Sequence, residues 1–473
     1  MSTYEEVVQE NSELRRRLFE QEERFSEQER RLVEQQRQIE KLERLLEELR
    51  RRGKRQAAPF SKGEPKGAPK RPGRKPGQEY GSRASRPRPE RADERIEVGC
   101  PLFCESCNGK VRFIGKESQF QVDLPDIRPR TTEFVLHYGE CTACGQRAMG
   151  RDARQTSKAV GVAGVQIGPG VVSLAAYLNK TGGLSYGKIG ALLEQLMGLR
   201  VARSTLCRAL KRTATKARPI YDELIAAMQT SPVVYPDESG WRIGGHSAWL
   251  WAFTNRSETV YSIQRGRGFA EAASILGPDY SGVLVADGWA PYRRFTAATH
   301  QTCLAHLLRR CSEMLETAQG GAVRFPRQVQ DILRAALAVR DRREEATISP
   351  HGVQISKGHL AARMDRLLAG RFTHAGNLRL AKHLRRNQNA LFVFLERDDL
   401  EATNWPAEHA IRPAVVNRKS CGGNRTSSGA ATQAVLMSLL RTCQQRNVNP
   451  LSAFTTILRS PKPTTYGLLL KPH

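Results

Sequence analysis

The 473-residue sequence predicts a multidomain α+β protein, and three observations predict it. Residues 4–52 carry a long heptad seam. Two Cys-x-x-C pairs stand 33 residues apart just beyond a Pro- and Gly-rich stretch. From 231 onward, apolar runs of strand length alternate with segments of helical period, the pattern of an α/β mixed-sheet core. The length suffices for two to four domains with substantial cores. The formal net charge of +27 points to a polyanionic partner, double-stranded DNA above all. No N-terminal stretch has a signal peptide's apolar centre, and the longest uncharged run, 159–179, is broken by glycines, a proline and a glutamine. No membrane span is expected. Ten cysteines without a secretory signal imply thiols or metal ligands in a reducing, cytoplasmic setting.

The first domain, 1–52, reads as a coiled coil. Val7, Asn11, Leu14, Leu18, Gln21, Phe25, Gln28, Leu32, Gln35, Ile39, Leu42, Leu46 and Leu49 alternate in steps of four and three, so one stripe faces a partner helix. The expected consequence is a homo-oligomer, a dimer through this seam. Residues 53–98 change to a basic linker with too few apolar residues to form a core. Within it "PKRPGRKPG" (69–77), with Arg71, Arg74 and Lys75, reads either as a hook for the DNA minor groove or as a plain cationic linker. In both cases it contacts phosphate with a strong salt dependence.

The third domain, 99–154, holds Cys104, Cys107, Cys141 and Cys144. Each pair supplies two thiolates from one tight turn, and two turns complete a tetrahedron around one structural Zn2+, leaving no open catalytic position. Between them "KVRFIGKESQFQVDLP" and "TTEFVLHYGE" alternate like short strands, so a zinc-ribbon-like knuckle is expected. Cys100 is a possible substitute ligand. The next domain, 155–230, turns helical. "SYGKIGALLEQLMGLRVARSTLCRALKRTATKA" reads as helix, turn at Gly198, helix, with Ile189, Leu192, Leu193 and Leu196 on one apolar face and Val201, Leu206 and Leu210 on the next. That spacing fits a helix-turn-helix, in which Arg203, Ser204, Thr205 and Arg208 face DNA and Ser204 and Thr205 are natural caps. A structural helical hairpin has the same periodicity.

Residues 231–315 open the core. A buried strand, Val233–Tyr235, meets Asp237 and Glu238 and then a turn expected at Ser239–Gly240. Two further strands (248–254 and 259–264) and a helix follow, and then Val283–Ala286 ends in Asp287 and Gly288. With the first strand beside the fourth, Asp237 and Asp287 become neighbours at one sheet edge, and unpaired carboxylates so placed repel and call for a cation such as Mg2+. Glu238 competes with Asp237 on residue type; Asp237 directly continues the strand. Residues 316–400 read as a helical insertion that either reaches DNA through Arg385 and Arg386 or braces the core. At 401–430, "TNWPAEHAIRP" gives a short helix to Ile411 carrying Glu408, capped by Thr403 or Asn404. Arg412 follows, and then a basic, glycine-rich loop with Arg418, Lys419 and Arg425, suited to a phosphate backbone. Residues 431–473 read as a helical tail.

The segments "YPDESGWR", "VADGWAPY", "CLAH" and "TNWPAEHAIRPAVVNRKSCGG" resemble the insertion-sequence-66 family of bacterial DDE transposases. The heptad helix, linker, Cys pairs and helix-turn-helix resemble it as well. The resemblance implies a ribonuclease-H-like core in which Asp237, Asp287 and Glu408 are the catalytic, metal-binding triad for two Mg2+ (or Mn2+). It places Cys303 and His306 as a structural pair beside the site. It also implies cleavage at transposon ends and strand transfer into target DNA, with the two ions about 3.5–4 Å apart clamping attacking and leaving oxygens. A bacterial, nucleoid-associated location and accessory transposition proteins follow from the same resemblance. Trp405 stands where that family more often has a second asparagine. Two other readings keep part of this picture: a zinc and helix-turn-helix DNA-binding regulator without catalysis, and a nuclease with the same core but no joining step.

Overall fold

A computed structural model of the chain describes residues 86–461, except 126 and 318, and isolated positions on either side. The predicted coiled coil, apart from a few such positions, and the linker as far as 85, with Arg71, Arg74 and Lys75, lie outside the described residues.

The knuckle segment contains two equivalent turns. Cys104 N–H donates to Gly109 O and Asn108 N–H to Cys104 O; Cys141 N–H donates to Gln146 O and Gly145 N–H to Cys141 O, all at 2.8–2.9 Å. Asn108 (φ 56°) and Gly145 (φ 67°) occupy the left-handed region directly after each second cysteine. Around the second turn pair two short strands, β1 (Tyr138–Glu140) and β2 (Arg147–Met149), antiparallel. The longer strands expected between the turns do not form. Val111, Phe113, Phe120 and Val122 alternate in sequence but stay exposed, so the pattern has no face to bury against.

Four helices follow: α1 (Pro169–Lys180), α2 (Tyr186–Met197), α3 (Arg203–Lys216) and α4 (Arg218–Gln229). Gly198 at φ 65° ends α2 with paired bonds, its own N–H to Glu194 O and Leu199 N–H to Leu193 O, a glycine-dependent stop. The α3 cap is Ala202, so Ser204 and Thr205 lie inside the first turn rather than capping it. Ile189, Leu193, Leu206 and Leu210 are buried as their spacing predicts, whereas Leu196 is exposed.

The core is a five-stranded mixed sheet of β3 (Val233–Ile243), β4 (His246–Thr254), β5 (Thr259–Gln264), β6 (Val283–Ala286) and β7 (Thr299–Thr302), in the order β5-β4-β3-β6-β7. β3, β6 and β7 are parallel, while β4 is antiparallel to both its neighbours. The turn expected at Ser239–Gly240 does not occur. Ser239 to Ile243 find partners in Leu250 to His246, and the chain reverses at Gly244 and Gly245, both at positive φ, as a two-residue hairpin requires.

The two faces of the sheet bury different elements. Val234, Leu284, Ala286, Trp251 and Phe253 share one core with α1–α4, with α5 (Phe269–Leu276), α11 (Ser427–Gln445) and α12 (Pro450–Arg459). Val233, Tyr235, Val283 and Val285 point the other way, as strand alternation demands. They pack with the helices that follow β7: α6 (Leu304–Thr317), α7 (Arg324–Glu344), α8 (Pro350–Leu368) and α9 (Ala375–Arg386). The last helix to be placed, α10 (Trp405–Cys421), covers the hairpin end through Ile411 and Ala414. Among the described residues no helix is long and apolar enough to cross a membrane.

Candidate active site

The parallel register of β3 and β6 pairs Val233 with Val283 and Val234 with Leu284. The same register carried three residues further sets Asp237 opposite Asp287. β6 stops at Ala286, while β3 continues into its hairpin with β4. Asp237 therefore sits within the strand at the point where the sheet divides, not at a strand end.

Asp287 begins the loop after β6, exposed, with Oδ1 accepting from Trp289 N–H at 2.9 Å. The next residue, Gly288, has φ 85°, and a Cβ there would lie 2.9 Å from His383 Cε1 of α9; both facts demand glycine. Glu408 occupies the first turn of α10 and is half-exposed. Its helix is longer than expected, since it runs through Pro413 to Cys421.

Asp287 and Glu408 both act on Asp237. Asp237 is pushed up to about 7, first by burial, then by the charge of Glu238, with Asp287 and Glu408 adding to it against the pull of the Glu238 N–H. A buried carboxylate facing three others is the electrostatic signature of a cation site. Glu238 is differently committed. Its side chain is only 5% exposed. Oε1 accepts from Arg267 at 2.7 and 3.1 Å, and Oε2 accepts from Tyr292 OH at 2.7 Å. Arg267 in turn lies over the rings of Trp249 and Trp289 at 4.5 and 4.2 Å. With both oxygens occupied, Glu238 braces the β6 loop, which leaves Asp237 as the carboxylate without a basic partner on this strand.

Asn404 ties the glutamate helix to the sheet. Its Nδ2 donates to Pro236 O at 2.8 Å, its N–H to Cys303 Sγ at 3.1 Å, and its carbonyl accepts the Glu408 N–H at 3.1 Å. It is the residue before α10, yet its side chain makes no cap. Cys303 N–H donates to Ala286 O at 2.7 Å. Its buried thiol, pushed up by burial, lies 3.2 Å from His306 Nδ1, and His306 Nε2 lies 3.8 Å from Glu408 Oε1. Cys303 and His306 thus connect the ends of β6 and β7 to the first turn of α10.

Among the described residues, no three or more His, Cys, Asp or Glu side chains form a group arranged to hold a metal ion. For the triad this means that the charges converge without closing into a coordination shell. The thiols of Cys104 and Cys107 share a hydrogen bond, as do those of Cys141 and Cys144, and all four are free, but the two pairs are not gathered into one four-thiol site. The first thiol of each pair is held below its ordinary value by N–H groups of its own turn, the condition a thiolate ligand needs.

The residues expected at DNA divide. Arg203, Ser204 and Arg208 are exposed on α3, with Thr205 partly buried, and Arg412, Lys419 and Arg425 are exposed near α10. Arg418 is not: it is 8% exposed, its Nη1 bonding Ser239 Oγ at 3.0 Å and Gly240 O. The glycine-rich segment after it is likewise stitched to the hairpin. Asn424 N–H donates to Arg242 O, Gly244 N–H to Asn424 O, and Trp241 Nε1 to Asn424 Oδ1, at 2.8–2.9 Å. In the insertion, Arg385 caps the end of α8 at Leu368 O. His383, Arg267 and Tyr292 escaped the sequence reading, because each draws its role from a contact remote in sequence.

A family model described as Transposase IS66 family matches residues 164–432, which takes in the whole sheet and the glutamate helix. The chain belongs to the IS66 transposase family. The Sinorhizobium fredii protein y4qI is 25% identical over 289 residues, 54% of this chain and 52% of that protein. A second, y4jD of the same organism, is 22% identical over 389 residues, 75% of this chain and 74% of that protein. The chain thus spans about half the length of the first of these relatives and three-quarters of the second. Asp237, Asp287 and Glu408 all fall within the stretch matched to the IS66 family.

Proposed function

We propose that the chain is a DDE transposase with a ribonuclease-H-like core that cuts DNA at transposon ends and joins the freed ends to target DNA. The observation that carries this is that Asp287 and Glu408, from two other elements, both act electrostatically on Asp237 and help to raise its carboxyl. The strand order β5-β4-β3-β6-β7 with only β4 antiparallel to its neighbours supports the same reading.

Asp237, Asp287 and Glu408 would hold divalent cations, Mg2+ or Mn2+, whose contribution is to neutralise phosphate charge and acidify the attacking water or 3′ hydroxyl. The residues present fit such a group by chemistry: three carboxylates from separate elements, with Asp237 raised by burial first and then by neighbouring carboxylate charge, Asp287 and Glu408 included. Glu238, Arg267 and Tyr292 hold the loop that carries Asp287. Asn404, Cys303 and His306 hold the helix that carries Glu408. Arg412, Lys419 and Arg425, exposed beyond Glu408, are suited to phosphates flanking the reacting one, and the exposed Arg203 and Arg208 of α3 to a more distant length of duplex. One set of carboxylates serves both cutting and joining, since only the nucleophile changes.

The test uses full-length protein, Mg2+ and a labelled duplex ending in the element's terminal repeat. Joined products support the transposase; cutting without joining supports a nuclease; binding alone supports a regulator. Asp287→Asn is expected to abolish chemistry and leave binding in place, and activity that survives it removes Asp287 from the site. We further propose one structural Zn2+ held by Cys104, Cys107, Cys141 and Cys144, supported by the two matching turns. Elemental analysis should then find about one zinc per chain, lost in Cys104→Ser.

A further inference from the structure

The outward stripe of α10 is unusual for a soluble surface. Trp405, Glu408, His409, Arg412, Val416 and Lys419 are all exposed and follow one another at helical spacing. Trp405 is 62% exposed, although a large indole is ordinarily kept from water. It is also held in place. Its ring stacks on the His409 imidazole with centroids 5.1 Å apart and planes 17° from parallel. The imidazole is fixed at its edge by Arg441, whose Nη2 donates to His409 Nδ1 at 2.6 Å. The result is an exposed indole face backed by an imidazole whose edge is held by arginine, one helical turn before Glu408.

We propose that Trp405, backed by His409 and Arg441, is a stacking subsite for an unpaired nucleobase next to the phosphate that Glu408 addresses. This rests on the DNA-processing reading above and extends it. A paired base offers its neighbours no free π-face, so the occupant is a base out of the helix, at a frayed end or flap. Stacking of this kind tolerates any base identity. Arg412 and Lys419 continue the stripe and suit the backbone on the far side of that base.

The test measures binding of the full chain, without divalent cation, to three labelled duplexes: fully paired, with a short unpaired flap, and with the same flap made abasic. The wild type should favour the intact over the abasic flap by about fivefold or more. Trp405→Ala should lose that preference, Trp405→Phe should keep most of it, and all three proteins should bind the paired duplex alike. A preference that survives in Trp405→Ala, or a wild type that binds duplex but ignores the flap base, overturns the subsite and leaves the transposase reading standing. A wild type that binds none of the three overturns both.

Discussion

At the scale of single residues, Asp237 and Arg418 give opposite lessons about charge. Asp237 holds its proton more tightly in the folded chain than in an ordinary carboxylate, so folding takes up a proton between about pH 4 and pH 7. The stability tied to it is complete below the ordinary carboxylate range and is lost as pH rises through about 7. Asp237→Asn removes that loss. Thermal melts without added divalent cation should show the variant equal to wild type near pH 4 and more stable at pH 8, by on the order of 2–4 kcal/mol, while cleavage is abolished. A variant no more stable at pH 8 would mean that neither burial nor the neighbouring carboxylates raise Asp237. Arg418 is a cation that serves the fold. Arg418→Ala should lower stability by about 1–3 kcal/mol through its orphaned partners on β3, with little change in the salt dependence of DNA binding. Arg412→Ala and Lys419→Ala should do the reverse.

At the scale of elements, the close approaches of the backbone decide most. Gly423, at φ 109°, would place a Cβ 2.4 Å from Arg242 O. Gly423→Ala should therefore detach the post-α10 segment from the β3–β4 hairpin and lower the melting temperature, at a cost of about 1–3 kcal/mol. Gly288→Ala should act on chemistry as well, because the displaced neighbour is Asp287. Which of these elements could be read in advance follows from how local their causes are. The parallel pairing of the strands that lead to Asp237 and Asp287 was legible, since apolar runs marked both and the first lay beside the fourth. The length of α10 was not, because Pro413 reads as a stop where here the helix continues past it. β7 escaped because its sequence, Thr-His-Gln-Thr, has no apolar run; it is held by β6 alone and by Gln301, which bonds Leu391 O and Phe394 N–H. The role of Arg418 was misread for a similar reason: a basic residue in a basic segment suggests phosphate until Ser239 and Gly240 are seen beneath it.

At the scale of the whole molecule, two buried groups set opposing pH trends. Lys180, fully buried against Gln433, is pushed down to about 8 by burial. Its folded form gives up its proton before its unfolded form does, so stability rises with pH between about 8 and the ordinary lysine value. Together with the loss through Asp237, this predicts a shallow minimum in apoprotein stability near pH 7 to 8. Lys180→Met should raise stability most at and below about pH 8 and abolish the alkaline rise, while Mg2+ should raise it above about pH 7, where Asp237 is ionised, in melts taken across the range. The net charge of +27 predicts duplex binding that weakens steeply with salt. The helices between Asp287 and Glu408 have a consequence for timing. They share one core with β3, β6 and Ala407 of the glutamate helix, so Glu408 can reach the aspartates only after that whole excursion has collapsed. On the proposed triad, a polypeptide still emerging from the ribosome would carry both aspartates long before it gains the third acid, and so would acquire any cutting activity only once its synthesis is nearly complete.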